Sequence, residues 1–353
     1  MTTESISFKK IGYFSPLICD YLSEKDELSS FYSRFPSVEN FKNQISAKQV
    51  SFKMQSRTNL ITVLKDQYKN LNVSQFTLNN IASLQQENTF TITTGHQLNL
   101  FTGPLYFLYK IVSAINLSKE LAERYADYNF VPIYWMATED HDFDEIDYFN
   151  FKGKKVHWNK KASGAVGELD TDGLDEVFNL FSKELGSGKN ADYLRVLFSE
   201  AYLNHDNLSD ASRFLANELF KDYGLVILDA NSHLLKKQFI PYIEMELVRN
   251  TSFKAVSETN ERINKLGEQY GIQVNPREIN LFYLKDGLRE RIVFQDDVYR
   301  VLNTNITWDK QELLNHIHEA PERFSPNVIM RPLYQEVILP NLCYIGGGGE
   351  LAY

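Results

Sequence analysis

The stretch from Thr89 to Met136 constrains the fold most, because two strand patterns flank one helix pattern. Residues Thr89–Thr93 alternate and are β-branched, which is typical of a strand. After Pro104, which suits a first helical turn, apolar residues recur at three- and four-residue intervals. A second apolar run, Val131–Met136, follows. Strand, helix and strand at this spacing predict a βαβ unit with parallel strands and a right-handed crossover.

The same rhythm returns twice later in the chain. Gly224 stands where a helix would end, and the apolar run Leu225–Leu228 leads to Asp229. A fourth apolar run, Leu342–Ile345, precedes four glycines. We therefore predict an α/β fold with a parallel sheet core, in which the four runs share one sheet.

The segments around these runs divide the chain into six predicted parts. They are a largely helical N-terminal part (1–85), a first Rossmann-like half (86–150), an insertion (151–210), a return to the core (211–245), a second insertion (246–320) and a last core strand with its glycine loop (321–353). Polar, turn-rich composition favours an insertion for the third part. In the second insertion, the step Asp286–Gly287 between two alternating runs predicts a β-hairpin.

Composition and charge narrow the classes of function. The 353 residues carry a formal net charge of −9 without a long basic run, which argues against a nucleic-acid surface. Two cysteines without a CxxC step exclude a disulfide framework and a cysteine-rich zinc site. The chain has no run of about 18 apolar residues, and its first ten residues lack the apolar core of a signal peptide. We expect a cytoplasmic protein with small-molecule partners, and neither membrane nor nucleic acid among them.

Three polar clusters follow the predicted strands, and open parallel sheets bind ligands beyond the carboxyl ends of their strands. The first cluster comprises Thr94, Gly95, His96, Gln97 and Asn99. Gly95 would let the backbone approach a ligand closely, and the N-terminus of the following helix would favour a phosphate or another anion. A simple turn with a surface histidine is the alternative.

The second cluster comprises Glu139, Asp140, His141 and Asp142. Neighbouring carboxylates repel one another, and a cation, an amine substrate or the N–H groups of a helix has to offset this repulsion. Helix capping would account for part of the run. Metal ligation by His141 and its neighbouring carboxylates is another alternative, but the spacing matches no standard zinc motif, so no metal ligand is assigned.

The third cluster is a run of four glycines, Gly346, Gly347, Gly348 and Gly349. Such a run suits a backbone that bends tightly around a ligand, or a flexible connector, and it matches neither a Walker A loop nor a dinucleotide fingerprint. Upstream lie Asn327 and Arg331, and an arginine between apolar runs favours a carboxylate or an anionic ligand as its partner. Lys110 and Arg289 are expected to be solvated charges.

Four stretches resemble the bacillithiol biosynthesis cysteine-adding enzyme family, namely TTGHQLNLFTGPLYFLYK, VPIYWMATEDHDFDEI, YGLVILDAN and FSPNVIMRPLYQEVILPNLCYIGGGGELAY. Two positions depart from that family's pattern. The family usually has Gln where His96 stands, and its glycine segment is commonly GGPGE. Members of the family continue beyond the equivalent of residue 353 into a further core segment and a long helical coiled coil, through which a homodimer would form.

The resemblance implies a Rossmann-type core similar to class I nucleotidyltransferases, and addition of cysteine to glucosaminyl-malate in the last step of bacillithiol synthesis. Amide formation from a free carboxylate needs activation, for which ATP or another nucleotide would serve. His96 and the N–H groups near Gly95 would then stabilise negative charge. The second cluster would hold and deprotonate the amine, and Arg331 would pair with a carboxylate. Two alternatives stay open: a metal-dependent hydrolase using His96, His141 and carboxylates, and an inactive small-molecule-binding fragment.

Overall fold

The computed structural model describes residues 4–352. Its strands are β1 (Thr89–His96), β2 (Asn129–Met136), β3 (Tyr148–Phe151), β4 (Lys154–His157), β5 (Val226–Asp229), β6 (Leu281–Lys285), β7 (Leu288–Gln295), β8 (Val298–Val301), β9 (Thr307–Trp308), β10 (Phe324–Pro326) and β11 (Asn341–Ile345). Short 3₁₀ turns lie at Asp26–Phe31, Val38–Asn40, Leu100–Thr102, Val166–Glu168, Lys221–Tyr223 and Pro321–Arg323.

The α-helices precede the first strand and connect the later ones. They are α1 (Phe8–Ile11), α2 (Pro16–Leu22), α3 (Phe41–Ser51), α4 (Met54–Gln67), α5 (Gln75–Ser83), α6 (Tyr106–Arg124), α7 (Phe143–Ile146), α8 (Leu174–Leu185), α9 (Lys189–Tyr202), α10 (Leu208–Phe220), α11 (His233–Arg249), α12 (Thr251–Asn264), α13 (Lys310–Glu319), α14 (Arg331–Ile338) and α15 (Gly348–Ala352). None of those within residues 4–352 has the length and apolar character needed to cross a membrane.

The centre of the fold is a parallel sheet with the strand order β11–β1–β2–β5. Thr93 of β1 pairs with Ile133 of β2 on one side and with Tyr344 of β11 on the other. The four apolar runs therefore share one sheet, which confirms the predicted parallel α/β core. Their carboxyl ends lie at one edge because all four strands run in the same direction.

Helices cover both faces of this sheet. Neighbouring strand residues point to opposite faces: Tyr134 packs edge-on against Phe107 of α6, with ring centroids 5.4 Å apart. The next residue, Trp135, packs on the other face against Tyr334 of α14 at 5.6 Å. Burial on both faces explains why β2 and β5 are almost continuously apolar. Strand β1 alternates threonines with apolar residues, and it too is buried along its whole length.

A second sheet is antiparallel and has the order β10–β6–β7–β8–β9. Strands β6 to β9 belong to the segment predicted as the second insertion (246–320), whereas β10 lies in the part predicted as the last core strand and its glycine loop. Lys285 pairs with Leu288 across the turn between β6 and β7, so the structure places a hairpin at Asp286–Gly287. Gly287 has φ 67°, a conformation that favours glycine at this turn. The segment 151–210, predicted as an insertion, contains the end of the β3–β4 hairpin and the helices α8 and α9.

Candidate active site

A cleft of about 1170 Å³ opens where the carboxyl edge of the parallel sheet meets the antiparallel sheet and the loop after β11. Members of all three predicted clusters line it, namely His96, Gln97, Asp140, His141, Asp142, Asn327, Arg331, Gly347 and Gly349. A smaller recess of about 210 Å³ adjoins the cleft and shares Asp140 and Arg331 with it. The structure thus brings the three clusters to one place, as the positions of their strands require.

Gly95 and His96 do not stand at a helix N-terminus, contrary to the prediction. Both are the last residues of β1, and α6 begins only at Tyr106, after the 3₁₀ turn Leu100–Thr102. Gly95 packs against a side chain of β11, because an added Cβ at Gly95 would lie 2.9 Å from the Tyr344 hydroxyl oxygen. This close approach of Tyr344 favours glycine at position 95.

Two other residues of the first cluster support the backbone instead of facing the cleft. The Thr94 hydroxyl donates to the Ile345 carbonyl at 2.8 Å and so joins β1 to β11. The Asn99 amide donates to the Glu145 carbonyl at 3.0 Å. Gly103, with φ 57°, packs so closely on Asn99 that a Cβ would lie 2.4 Å from the asparagine Cβ. The lining of the cleft does not include Thr94, Gly95 or Asn99, and the binding roles predicted for them stay predictions.

His96 is 8% exposed and presents one unpaired ring nitrogen. Its Nδ1 lies 3.0 Å from the Gln97 carbonyl oxygen, which can only accept, so Nδ1 carries the proton. Burial lowers the pKa of His96, and the Lys110 ammonium lowers it further, whereas the Gln97 carbonyl, Glu350 and the Asn99 side chain raise it less than burial lowers it. The ring is therefore neutral and offers a bare Nε2 lone pair at the cleft. This arrangement makes His96 a hydrogen-bond acceptor, not the predicted donor to an anion.

The carboxylates that do face the cleft are Asp140 and Asp142. The Gln97 amide donates to Asp140 at 3.2 Å and to Glu145 at 2.7 Å, and so holds two carboxylates near each other. The Asp142 side chain is 53% exposed, and the Nε2 of His141 lies 3.8 Å from its carboxylate. Asp142 is therefore the more accessible of the two carboxylates.

Glu139 points away from the large cleft, which corrects its predicted role in holding the substrate amine there. Its carboxylate pairs with the Lys236 ammonium at 2.7 Å and lines only the smaller recess. Lys236 is fully buried and also donates to the Phe324 carbonyl at 2.9 Å. The pair joins the end of β2 to α11 and, through the Phe324 carbonyl, to β10. The two opposite charges neutralise each other in a place that solvent hardly reaches.

Asn327 and Arg331 line both the cleft and the recess. The Asn327 side-chain oxygen accepts from the backbone N–H of Ile329 at 3.0 Å, and its amide donates to Asn280 at 3.0 Å. Asn327 thus shapes the turn before α14. Arg331 lies over the rings of Trp135 and Tyr344 at 5.5 and 5.1 Å, and its Nη1 donates to Gln335. The other N–H donors of the Arg331 guanidinium can bind a carboxylate.

The glycine run divides between two roles. Gly347 and Gly349 line the cleft, whereas a Cβ at Gly346 would lie 3.0 Å from the Tyr344 ring and one at Gly348 would lie 3.0 Å from the Phe14 ring. These close contacts explain why residues 346 and 348 carry no side chain, and the binding roles predicted for both stay predictions. Helix α15 begins within the run, at Gly348.

Lys110 is buried, and the prediction of a solvated charge was wrong. Its ammonium lies 2.8 Å from both carboxylate oxygens of Glu350, which also accepts from the N–H of Gly347 at 2.6 Å. Burial lowers the pKa of Lys110, while Glu350 raises it. Helical spacing carried a signal for this position, because Lys110 lies three residues after Phe107 on the buried side of α6.

Arg289 is also buried, and the prediction that it is solvated was wrong as well. Its guanidinium stacks on the Phe282 ring at 4.0 Å, lies 3.8 Å from Asp140 and donates to the Nδ1 of His141 at 2.5 Å. Because arginine only donates, the Nδ1 of His141 must accept, so the ring is neutral and its Nε2 carries the proton. His141 therefore has no free base nitrogen in this arrangement. Arg291, two residues along β7, lines the same cleft, and this period-two spacing in LRERI was the signal available in the sequence.

The metal-hydrolase alternative needs both histidines in one ligand set. Asp140, His141 and Asp142 place ligand atoms within 4.8 Å of one another, but within residues 4–352 His96 is not a member of that group. The Arg289 guanidinium already places a positive charge beside Asp140 and His141. The geometry therefore does not support a metal centre built on His96 and His141.

Comparisons with known proteins agree with this architecture. A family model described as "Bacillithiol biosynthesis BshC, N-terminal Rossmann-like domain" matches residues 1–353. A protein of Flavobacterium johnsoniae named "Putative cysteine ligase BshC" is 60% identical over 353 residues, which are 100% of this chain and 66% of the relative. Relatives of the same name from Cytophaga hutchinsonii and Bacillus cereus AH187 are 41% and 30% identical, over 100% and 96% of this chain and 65% and 64% of their own lengths.

The chain thus spans just under two thirds of the length of the curated relatives it matches. The parallel sheet, the cleft at its carboxyl edge and the family match over every residue lead to one assignment. The chain belongs to the bacillithiol biosynthesis BshC family, whose N-terminal Rossmann-like domain it carries.

Proposed function

We propose that the cleft is the active site of a ligase that adds cysteine to glucosaminyl-malate in bacillithiol biosynthesis. The family description names the pathway, and the relatives' name supplies the cysteine ligase activity. The observation that carries the proposal is the lining of the cleft, which combines the unpaired Nε2 of His96 with carboxylates and several arginines. Its volume of about 1170 Å³ is large for a ligand pocket and suits two substrates.

Groups of both signs match the charges of the proposed substrates. Cysteine is a zwitterion, and the malate part of the acceptor carries carboxylates while its sugar carries an amine. Asp140 and Asp142 supply negative charge for an ammonium group, and Arg331 supplies a planar fork that fits a carboxylate. Joining the cysteine carboxyl to the sugar amine forms a C–N bond and breaks a C–O bond of the carboxyl. The oxygen would leave on the phosphoryl or adenylyl group that an activating nucleotide supplies, and the amine would lose one proton to a carboxylate of the cleft.

His96 takes the role of an acceptor within this proposal. A neutral imidazole with its lone pair at the cleft can accept a hydrogen bond from a substrate N–H or O–H. A glutamine, common at this position in the family, can accept through its side-chain oxygen. An acceptor role therefore suits both residues, whereas a base role would suit only histidine.

The direct test is a mass-spectrometric assay for bacillithiol from glucosaminyl-malate, cysteine and ATP. We would compare the chain with a chimera extended by the C-terminal third of the Flavobacterium johnsoniae relative, to which the matched part is 60% identical. Product from the chimera supports the proposal. Substrate binding without product from either protein would favour an inactive binding function, and hydrolysis of the acceptor would contradict a ligase.

Substitution of His96 tests its proposed role. His96→Ala leaves a substrate donor unpaired in a buried site, which costs about 1–3 kcal/mol and should lower kcat/KM roughly 10- to 100-fold in the active chimera. His96→Gln should retain most activity. The control is His318→Ala, because the His318 side chain is 62% exposed and pairs with Glu244 outside the cleft. Equal losses for the alanine and glutamine variants would instead indicate proton transfer by His96.

A further inference from the structure

The antiparallel sheet contributes a group of cations to the cleft that the family match does not explain. We call Arg277, Arg289 and Arg291 the arginine wall; all three line the cleft. Arg289 and Arg291 lie two residues apart on β7 and so face the same side of the sheet. Arg277 lies in the segment that leads into β6.

The arginine wall has donors without partners. The Nε atoms of Arg289 and Arg291 are both buried, and neither has a hydrogen-bond partner in the described chain. The Arg289 side chain is only 9% exposed. Buried donors without partners destabilise a fold, and native structures rarely retain them unless a ligand or water completes them.

The charge of the wall is only partly compensated. Asp140 lies 3.8 Å from the Arg289 guanidinium. Within residues 4–352, Arg277 and Arg291 form no ion pair with a carboxylate. Guanidinium groups stay protonated in proteins, so the wall keeps positive charge that faces the cleft.

We propose that the arginine wall binds a small dianion that presents paired oxygens, either a dicarboxylate or a phosphoryl group. The Nε–H and one Nη–H of an arginine form a fork that matches two oxygens of a carboxylate or a phosphate. The unpaired Nε donors of Arg289 and Arg291 are the edge of that fork. The proposal rests on the proposed function only for the origin of the dianion, which would be the malate part of the acceptor or the phosphates of the activating nucleotide.

Calorimetric titration of the whole chain at low salt tests the proposal, with L-malate in one arm and ADP in the other. Arg291→Gln should weaken binding of at least one probe roughly 10- to 100-fold, because a charge-assisted fork is lost. Arg291→Lys keeps the charge but loses the fork, so it should also weaken binding. Arg300→Gln is the matched control, because Arg300 lies on β8 of the same sheet and pairs with Asp296 instead of lining the cleft.

A loss confined to L-malate assigns the wall to the dicarboxylate, and a loss confined to ADP assigns it to the phosphoryl group; both outcomes support a dianion site. Absence of binding by the unaltered chain, or equal binding by the Arg291→Gln and Arg300→Gln variants, overturns it. If Arg291→Gln does not fold, judged by its circular dichroism, Arg277→Gln supplies the same test from an exposed position. Binding that depends on Arg291, together with a failed bacillithiol assay, would reject the ligase proposal and leave the anion site standing.

Discussion

At the scale of single residues, His96 shows how backbone surroundings set the chemistry of a side chain. The Gln97 carbonyl accepts from Nδ1, which leaves the lone pair on Nε2, a buried atom without a hydrogen-bond partner within residues 4–352. Burial lowers the pKa of the ring and so keeps it neutral. The sequence identified His96 as a candidate but not which of its nitrogens would face a ligand. The tautomer of His96 depends on where the Gln97 carbonyl lies. The residue type alone does not decide it, because a histidine can carry its proton on either ring nitrogen.

The lowered pKa of His96 predicts a dependence of stability on pH. Below about pH 6.5 the unfolded chain binds a proton at this residue that the folded chain refuses, so the free energy of unfolding falls as the pH falls. His96→Gln removes this contribution. Urea unfolding at pH 7.5, 6.5 and 5.5 should therefore show the variant gaining stability relative to the unaltered chain as the pH drops. If the free energies of unfolding of the two proteins change equally with pH, burial does not lower the pKa of His96.

At the scale of elements, the contact between β1 and β11 sets the position of the cleft floor. Tyr344 packs over Gly95, and burial raises the pKa of its hydroxyl to about 12, so the group stays a neutral donor and acceptor. The hydroxyl also donates to Glu350 at 3.3 Å, which links the strand end to the loop that follows. A glycine in a strand is thus explained by its neighbour strand rather than by a ligand.

Gly95→Ala should destabilise the chain by about 1–3 kcal/mol, because the new methyl group meets the Tyr344 hydroxyl and forces a shift in a packed sheet. Adding Tyr344→Phe removes the atom in the way, so the double variant should lose less than the sum of the two single variants. Urea unfolding measures all three. Gly349→Ala is the control, because nothing lies within 4 Å of its new Cβ and it should cost little. Additive losses would show that the contact with Tyr344 is not the cause.

At the scale of the whole molecule, the Glu139–Lys236 pair joins the parallel sheet to the segment that carries the antiparallel one. Glu139 follows β2, Lys236 lies in α11, and Lys236 also bonds the carbonyl of Phe324 in β10. Removing one member leaves the other charged and buried. The pair therefore stabilises the relative position of the two sheets that form the cleft.

Glu139→Gln should lower the free energy of unfolding by about 3–5 kcal/mol, because it leaves the fully buried Lys236 ammonium without its carboxylate. Combining it with Lys236→Met should recover part of that loss, since no uncompensated charge remains. The control is Glu184→Gln, which breaks the exposed pair with Lys154 and should cost less than about 1 kcal/mol. Denaturant unfolding of the four proteins decides the matter, and a Glu139→Gln variant as stable as Glu184→Gln would contradict a buried pair.

The sequence by itself determined the parallel core and the place of the site. Short apolar runs at Thr89–Thr93, Val131–Met136 and Leu225–Leu228 are local signals, and parallel strands necessarily collect their carboxyl ends at one edge. His96 and Asp140 could be placed near one cleft on that basis alone. Strand direction suffices for such a prediction, because it needs no knowledge of any side-chain partner.

Only the tertiary structure decided which neighbouring side chains face the cleft and which charges are buried. Glu139 and Asp140 are adjacent in sequence, yet one pairs with Lys236 and the other lines the cleft. Lys110 is buried because Glu350, 240 residues away, lies beside it. Arg289 is buried because Phe282 and the end of β2 meet there. Burial of a charge depends on partners that folding brings from distant parts of the chain, and local sequence patterns do not contain that information.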